Sequence, residues 1–215
     1  MSNLGYGGAT YDAKFIHAVA ASSTPGGFVV GTSAAEISPG GHIQIIHPLI
    51  LGTNGLSFAF WFAAYSYDGG ARAFEFGNQL PEFCDSHDNI YFGEVERKAT
   101  AGITTTGGDS TLFSDVLNGI MINDYQWRHV AWTIDPKGYW VIYLNGAQVW
   151  SNSNAGYPST VELSHNYIGY GGYIQRIDEF YLFETVISAG KVQELYSQKF
   201  LDTDYTNNRE MAREP

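Results

Sequence analysis

The stretch from Trp127 to Gly146, WRHVAWTIDPKGYWVIYLNG, limits the possible folds more than any other part of the sequence. Two aromatic-rich runs flank the segment Asp135-Pro136-Lys137-Gly138, and each run is too short for a typical helix. Both runs are rich in Val, Ile, Tyr and Trp, which favour strands. Because Pro fixes φ and Gly accepts positive φ, the four residues between them predict a turn. The stretch therefore predicts a β-hairpin, and its expected core residues are Trp132, Ile134, Trp140, Ile142 and Leu144.

The run LSFAFWFAA (56–64) predicts a second buried strand. Its alternate positions place large side chains on one face, namely Leu56, Phe58, Phe60 and Phe62, together with Ala64. This period of two is typical of a strand in the core of a sandwich. Ser188 can cap a short helix that presents Val192, Leu195 and Tyr196 on one side. With further short strands and turns along the chain, the sequence predicts an all-β jelly-roll sandwich of two antiparallel sheets with one short C-terminal helix.

The length of 215 residues suits one large β domain. We predict an N-terminal arm with the first strand at 1–27, a jelly-roll domain at 28–200 and a polar tail at 201–215. A single cysteine, Cys84, excludes an intrachain disulfide. We expect no signal peptide in this chain, because the first residues lack a basic segment followed by an apolar one. No apolar run is long enough to insert into a membrane.

The net charge of −11 argues against nucleic acid as a partner, because phosphates require Lys and Arg. It also argues against binding to an anionic membrane surface. The charge is compatible with a protein that binds cations or neutral ligands.

Four segments occur in an order typical of a known family: LSFAFWFAA, WRHVAWTID with GYWVIYLNGAQV, YIGYGG, and IQRIDEFYLFETVISAGKVQELY. Over roughly residues 28–200, the chain resembles the laminin G-like branch of the concanavalin A-like lectin/glucanase superfamily. The resemblance implies two curved sheets, with ligands on the concave face or at the loops along its rim. It leaves the ligand open, because the superfamily includes lectins, adhesion modules and enzymes.

Glucanases of this superfamily carry two catalytic carboxylates on alternate residues of one strand. Asp178 and Glu179 are adjacent here, so they are expected on opposite faces of a strand. Glu94 and Glu96 share a face by strand parity, but no aspartate lies between them. The sequence therefore predicts no enzyme, and a glycoside hydrolase is the weakest of the functions considered.

Asp178 is the acid for which the sequence predicts the most specific environment. Strand parity places it with Phe180 and Leu182 on the expected core face, where a carboxylate needs a partner. The resemblance implies a structural Ca²⁺ near the matching acid, with Glu36 or the turn at 38–41 completing the oxygen shell. Alternatively, Asp178 accepts backbone N–H groups or pairs with Arg176 or Arg128.

Loops at 65–70, 82–89 and 151–159 are the expected ligand-binding regions. Asp85, His87 and Asp88 are close together in the loop EFCDSHDN and could bind calcium or a transition metal, or simply form a solvated acidic loop. Aromatic rings can stack on sugars, although most aromatics of this chain must belong to its core. The predicted ligand-binding residues are Tyr65, Tyr67, Asp68, Asp85, His87, Asp88, Trp150 and Tyr157.

These observations favour a non-catalytic carbohydrate-binding or adhesion module, with calcium as the one candidate cofactor. Its partner would be a glycan or glycoprotein surface. The alternative is a structural or decoration protein of a larger assembly, such as a virion capsid or tail, with neighbouring subunits as partners. The expected location is accordingly an extracellular surface or a virion.

Overall fold

The structure is a computed structural model that describes residues 13–16, 19–22, 34–65, 71–78, 88–105, 110–122, 124–171 and 174–198. Within 13–22, and at Tyr65, only the backbone is described. The strands are β1 (Ala13–Ile16), β2 (Val19–Ser22), β3 (Ala34–Ile37), β4 (His42–Ile45), β5 (Leu49–Ile50), β6 (Leu56–Tyr65), β7 (Arg72–Gly77), β8 (Asn89–Val95), β9 (Lys98–Thr104), β10 (Ser110–Ser114), β11 (Arg128–Ile134), β12 (Trp140–Leu144), β13 (Ala147–Asn152), β14 (Glu162–Leu163), β15 (His165–Tyr170) and β16 (Ile174–Phe183). A helix, α1, spans 189–198.

Two seven-stranded antiparallel sheets form the sandwich that the sequence predicts. The first sheet has the order β1-β4-β15-β7-β8-β9-β10, and the second has the order β13-β12-β11-β6-β16-β3-β2. Strands β14 and β5 form a separate two-stranded sheet.

The core between the sheets confirms the alternation predicted for 56–64. Phe58, Phe60 and Phe62 are at most 1% exposed and belong to the main hydrophobic cluster. Phe74 of the first sheet stacks on Phe58, with ring centres 4.5 Å apart. All five hairpin residues predicted as core also belong to this cluster.

The hairpin turn forms through the chemistry that the sequence indicates. Asp135 Oδ1 accepts the backbone N–H groups of Lys137 and Tyr139, both at 2.8 Å. Gly138 adopts a φ of 79°, which glycine tolerates without steric cost. The sequence therefore specifies this turn locally.

Helix α1 covers part of the outer face of the second sheet. Ser188 Oγ accepts the backbone N–H of Lys191 at 3.2 Å, so the predicted cap is confirmed. Val192 and Leu195 are buried in a second hydrophobic cluster, and Tyr196 stacks on Trp61 with ring centres 5.6 Å apart.

A β-bulge in β16 overturns the predicted orientation of Asp178. Asp178 lies opposite Trp61 and Tyr181 lies opposite Ala59, so an extra residue separates the two pairs. Glu179 lies in this bulge and has a φ of 47°. Phe180 packs against the main core, whereas Asp178 lies with Trp61 on the outer face of the second sheet. The prediction that Asp178 shares the core face with Phe180 and Leu182 is therefore wrong.

The predicted common face of Glu94 and Glu96 is also wrong. Strand β8 ends at Val95, and Glu96 lies in the following turn with a φ of 52°. Glu94 is fully buried, while Glu96 is exposed. The turn thus interrupts the strand parity on which the prediction depended.

Candidate functional site

The outer face of the first sheet carries a row of polar and aromatic side chains. Glu75 on β7 lies opposite Tyr91 on β8 and Tyr167 on β15, so the three side chains share one face. The neighbouring residues Phe74 and Phe76 point into the core. Because side chains alternate along a strand, Glu75 points away from the core.

Glu75 is the centre of a group of interacting side chains that we call the Glu75 cluster: Arg72, Glu75, Asn89, Tyr91 and Tyr167. Asn89 Nδ2 donates to Glu75 Oε1 at 3.2 Å. Arg72 Nε lies 3.4 Å from Glu75 Oε2, a separation that indicates an ion pair rather than a close hydrogen bond. The Arg72 guanidinium also stacks on Tyr91, 4.0 Å from the ring centre.

The missing side chain of Gly102 leaves space for the Tyr91 ring. A Cβ atom at Gly102 would lie 2.7 Å from two carbons of that ring, which is closer than van der Waals contact allows. Gly102 is opposite Tyr91 on the neighbouring strand β9. The ring therefore lies over β9, where Arg72 covers it.

The Glu75 cluster is mostly shielded from water. Glu75 is 4% exposed, and burial raises the pKa of its carboxyl group, while the Arg72 guanidinium and the Asn89 amide partly lower it again. Buried acids with altered pKa values occur often at functional sites, although ion pairs with a purely structural role also produce them.

Three buried polar atoms of the cluster have no hydrogen-bond partner within the protein. These atoms are the donor Arg72 Nη1 and the acceptors Asn89 Oδ1 and Glu75 Oε2, the last of which is in the ion pair with Arg72. Because an unsatisfied buried polar group is costly, a bound water or a ligand is expected to satisfy them. The cluster therefore retains hydrogen-bonding capacity.

Partly exposed aromatic rings border the cluster at one side. Tyr170 lies opposite Arg72 in the register of β15 and β7. The ring centre of Tyr167 is 5.8 Å from that of Tyr170 and 4.6 Å from that of His42. Tyr170 and His42 are half-buried, so they form the accessible edge of this surface.

Most of the predicted ligand-binding residues lie outside the described residues. This holds for Tyr67, Asp68, Asp85 and His87, and for the side chain of Tyr65. Asp88 is described: it is 3% exposed, and its Oδ2 accepts from Asn78 Nδ2 at 3.2 Å. It directly precedes Asn89, so the structure brings this predicted residue to the end of the Glu75 cluster.

Trp150 and Tyr157, both predicted to bind ligand, contribute to packing. Their side chains are half-buried against the main hydrophobic cluster. Trp150 packs on Phe113, with ring centres 4.9 Å apart. The Tyr157 hydroxyl donates to the backbone oxygen of Gly52. Neither residue lies in the row that contains Glu75.

Glu36, one of the two predicted metal ligands, is engaged by an arginine. Arg176 donates to Glu36 Oε2 through both Nε and Nη2 at 2.7 Å. Arg128 pairs with Asp124 at 2.6 Å. Across the described ranges, no group of three or more His, Cys, Asp or Glu residues could hold a metal ion. Calcium binding at Asp178 and Glu36 stays a prediction.

The sequence indicated Glu75 only as an isolated acid and did not reveal its neighbours. An irregularity between Arg72 and Phe74 disturbs the simple alternation in β7, which hides the relation between Arg72 and Glu75. Tyr91 and Tyr167 meet Glu75 only through the register of the sheet. The aromatic-charged pattern of ARAFEFG was the one available signal.

Comparison with known proteins agrees with the two-sheet architecture. The profile of a laminin G family, described as the concanavalin A-like lectin/glucanases superfamily, matches residues 38–193. No curated protein sequence matches the chain. In the described residues, no helix is long and apolar enough to cross a membrane.

Solved structures with a similar fold include binding domains of bacterial toxins. The binding domain of Paraclostridial Mosquitocidal Protein 1 superimposes with a TM-score of 0.66 and 12% identity, covering 93% of this chain and 49% of the other. The binding domain of botulinum neurotoxin serotype D gives a TM-score of 0.67 and 13% identity, covering 90% and 48%. A serotype D ligand-binding domain in complex with N-acetylneuraminic acid gives 0.62 and 14%, covering 88% and 47%. This chain thus spans about half the length of these structures, and the similarity shows the fold alone.

Proposed function

We propose that this chain, which belongs to the laminin G-like branch of the concanavalin A-like lectin/glucanases superfamily, is a non-catalytic carbohydrate-binding module. The observation that carries the proposal is the position of Tyr170 and His42 beside the Glu75 cluster on one sheet face. Sugars present apolar C–H groups to aromatic rings and hydroxyl groups to polar side chains. This surface offers both kinds of contact.

The names given to similar structures support this proposal. One of the similar structures is named as a complex with N-acetylneuraminic acid. Several others are named as binding or receptor-binding domains. An extracellular surface is the location that such a role would require.

The described acids support a non-catalytic role. Glycosidases need two carboxyl groups on either side of the scissile bond, separated by about 5 Å in retaining enzymes. The partners of Glu75 in the cluster are Arg72 and Asn89, and neither is an acid. The side chain of Glu94 is on the core-facing side of β8, and Glu94 lies opposite the core residue Ala99.

A glycan array with the purified chain tests the proposal. We expect binding to a defined group of glycans, and Tyr170→Ala should weaken it at least tenfold because the half-buried stacking ring is lost. Tyr139→Ala is the matched control, because Tyr139 is 38% exposed on the hairpin of the opposite sheet. Absence of binding to every glycan, or equal binding by the Tyr170→Ala variant, would contradict the proposal.

Calcium support is a separate part of the proposal. If Asp178 binds a structural Ca²⁺, a chelator should lower the melting temperature of the native chain but not that of Asp178→Ala. An unchanged melting curve with chelator would exclude this role.

A second candidate function is that of a subunit in a larger assembly, and strand β10 favours it. This strand forms an edge of the first sheet, and its sequence STLFS has none of the charges or prolines that commonly protect edges. Leu112 in its centre is 54% exposed. Sedimentation that depends on concentration, and that Leu112→Lys abolishes, would support assembly. A monomer at all concentrations would argue against it.

A further inference from the structure

The charges of the Glu75 cluster balance one another, which bears on the kind of glycan it can accept. Arg72 and Glu75 form an ion pair, and their side chains are 15% and 5% exposed. The positive charge of Arg72 is therefore already matched by a carboxylate of the protein. The chain as a whole has a net charge of −11, which also disfavours an acidic ligand. An acidic ligand would meet no surplus positive charge among the members of this cluster.

One edge of the Arg72 guanidinium is already taken by Glu75 and is closed to a carboxylate of a ligand. Guanidinium groups hold carboxylates best through two parallel N–H groups. Arg72 Nε faces Glu75 Oε2, while its plane covers the Tyr91 ring. The Nε edge of the guanidinium is thus occupied by a carboxylate of the protein, and the buried nitrogen Nη1 has no hydrogen-bond partner. A carboxylate of a ligand would have to displace Glu75 to use the Nε edge.

The two acceptors of the cluster that lack a hydrogen bond, Asn89 Oδ1 and Glu75 Oε2, require a ligand that can donate. Asn89 is 9% exposed, its Nδ2 donates to Glu75, and its Oδ1 has no partner. A carboxylate only accepts hydrogen bonds, so it would leave Asn89 Oδ1 unsatisfied. A sugar hydroxyl both donates and accepts, either directly or through an ordered water.

We infer that the Glu75 cluster selects uncharged glycans and discriminates against glycans that carry a sialic acid or another carboxylate. This inference rests on the proposed carbohydrate-binding function and names the ligand class for the same surface. The apolar face of the sugar would contact Tyr170 and His42, which are half-buried beside Arg72. The hydroxyl groups would lie toward Arg72 and Asn89.

The test compares matched pairs on a glycan array, each a neutral glycan and its sialylated counterpart. Measurements at pH 7.5 keep histidine rings ordinarily neutral. We expect the native chain to bind the neutral member at least tenfold more tightly. Glu75→Gln keeps the side-chain shape and removes the negative charge, so it should reduce this preference severalfold. Asn89→Asp adds a negative charge and should increase the preference.

Glu162→Gln is the control, because Glu162 is exposed on β14 and its loss changes the net charge equally. It should leave the preference unchanged, and a melting curve establishes that each variant is folded. Equal or tighter binding of the sialylated members by the native chain would overturn the inference while the proposed function stands. Binding of neither member would overturn the proposed function itself. If Glu75→Gln and Glu162→Gln changed the preference for neutral glycans equally, the Glu75 cluster would not be its cause.

Discussion

At the residue scale, the fold opposes protonation of the His129 side chain. Its side chain is 1% exposed, and its ring centre lies 5.3 Å from Trp61 and 6.0 Å from Tyr196 of helix α1. Burial lowers the pKa of this imidazole from 6.5 to about 4. A charged ring at this position would have to be accommodated between two aromatic side chains.

The stability of the protein should therefore decrease on acidification. Between pH 6.5 and about 4 the unfolded chain binds a proton at His129 that the folded chain does not bind. Stability is thus retained above pH 6.5 and falls as the pH decreases, by roughly 3 kcal/mol in total. Urea unfolding of the native chain and of His129→Gln at pH 7 and pH 4.5 measures this effect.

Because His129→Gln also changes packing, the quantity to compare is the change in unfolding free energy between pH 7 and pH 4.5, not its value at one pH. The native chain should lose more unfolding free energy over this range than the variant does. His47→Gln, at an exposed position, is the control for the loss of one histidine elsewhere in the chain. Identical pH dependence of the native chain and His129→Gln would show that His129 is not responsible.

At the scale of single elements, helix α1 depends on a small apolar face. Leu195 is 4% exposed and packs in the second cluster with Val192 and the outer face of the second sheet. Leu195→Ala should reduce the free energy of unfolding by about 2–4 kcal/mol, because it removes buried methyl groups and leaves a cavity. Glu194→Ala, at an exposed position of the same helix, should change it by less than about 0.5 kcal/mol. Equal effects of the two substitutions in denaturant unfolding would contradict this packing.

Elements whose pattern is local could be predicted from the sequence. The alternation in 56–64 was read correctly because the large residues Phe58, Phe60 and Phe62 all pack between the sheets. The hairpin was predictable for a similar reason, since Asp135 and Gly138 specify the turn within four residues. Strand β16 was predicted at 174–183, but its side-chain orientations were not, because a single bulge at Glu179 reverses every orientation counted across it.

The candidate site could not be predicted, because its parts meet only through the sheet register. Glu75, Tyr91 and Tyr167 belong to three strands that are distant in sequence and adjacent in the first sheet. Whether a given strand lies beside β7 is decided by the order of the whole sheet. The sequence therefore indicated residue types suited to a lectin without indicating which of them share a face.

At the scale of the whole molecule, the described residues beside the three predicted loops, 65–70, 82–89 and 151–159, lie at two ends of the first sheet. Strand β7 begins at Arg72, after the segment 65–70, and ends at Gly77, before the segment 82–89. Gly77 lies opposite both Asn89 of β8 and His165 of β15, the next strand of this sheet after the segment 151–159. The described neighbours of two predicted loops thus lie at one end of this sheet, and the described neighbour of the third lies at the other end.

Strands β10 and β13 close one side of the sandwich between these ends. Each strand is the edge of its own sheet, and the two edges meet through Phe113 of β10 and Trp150 of β13. Phe113 also makes an edge-to-face contact with Trp140, with ring centres 5.5 Å apart. Asn118 Nδ2 donates to the backbone oxygen of Val149 and adds a polar link to the same contact.

This closure gives Trp150 a structural role that separates it from the proposed glycan site. Trp150→Ala should lower the free energy of unfolding by about 2–3 kcal/mol, since a large half-buried ring is removed from the contact between sheets. Under conditions where the variant remains folded, its affinity for the glycan bound by the native chain should be unchanged. Tyr170→Ala should show the opposite result, with reduced affinity and a smaller loss of stability. If Trp150→Ala instead lost affinity at unchanged stability, the ligand would bind at the 151–159 loop, as the sequence first suggested, and the Glu75 cluster would be a structural ion-pair network.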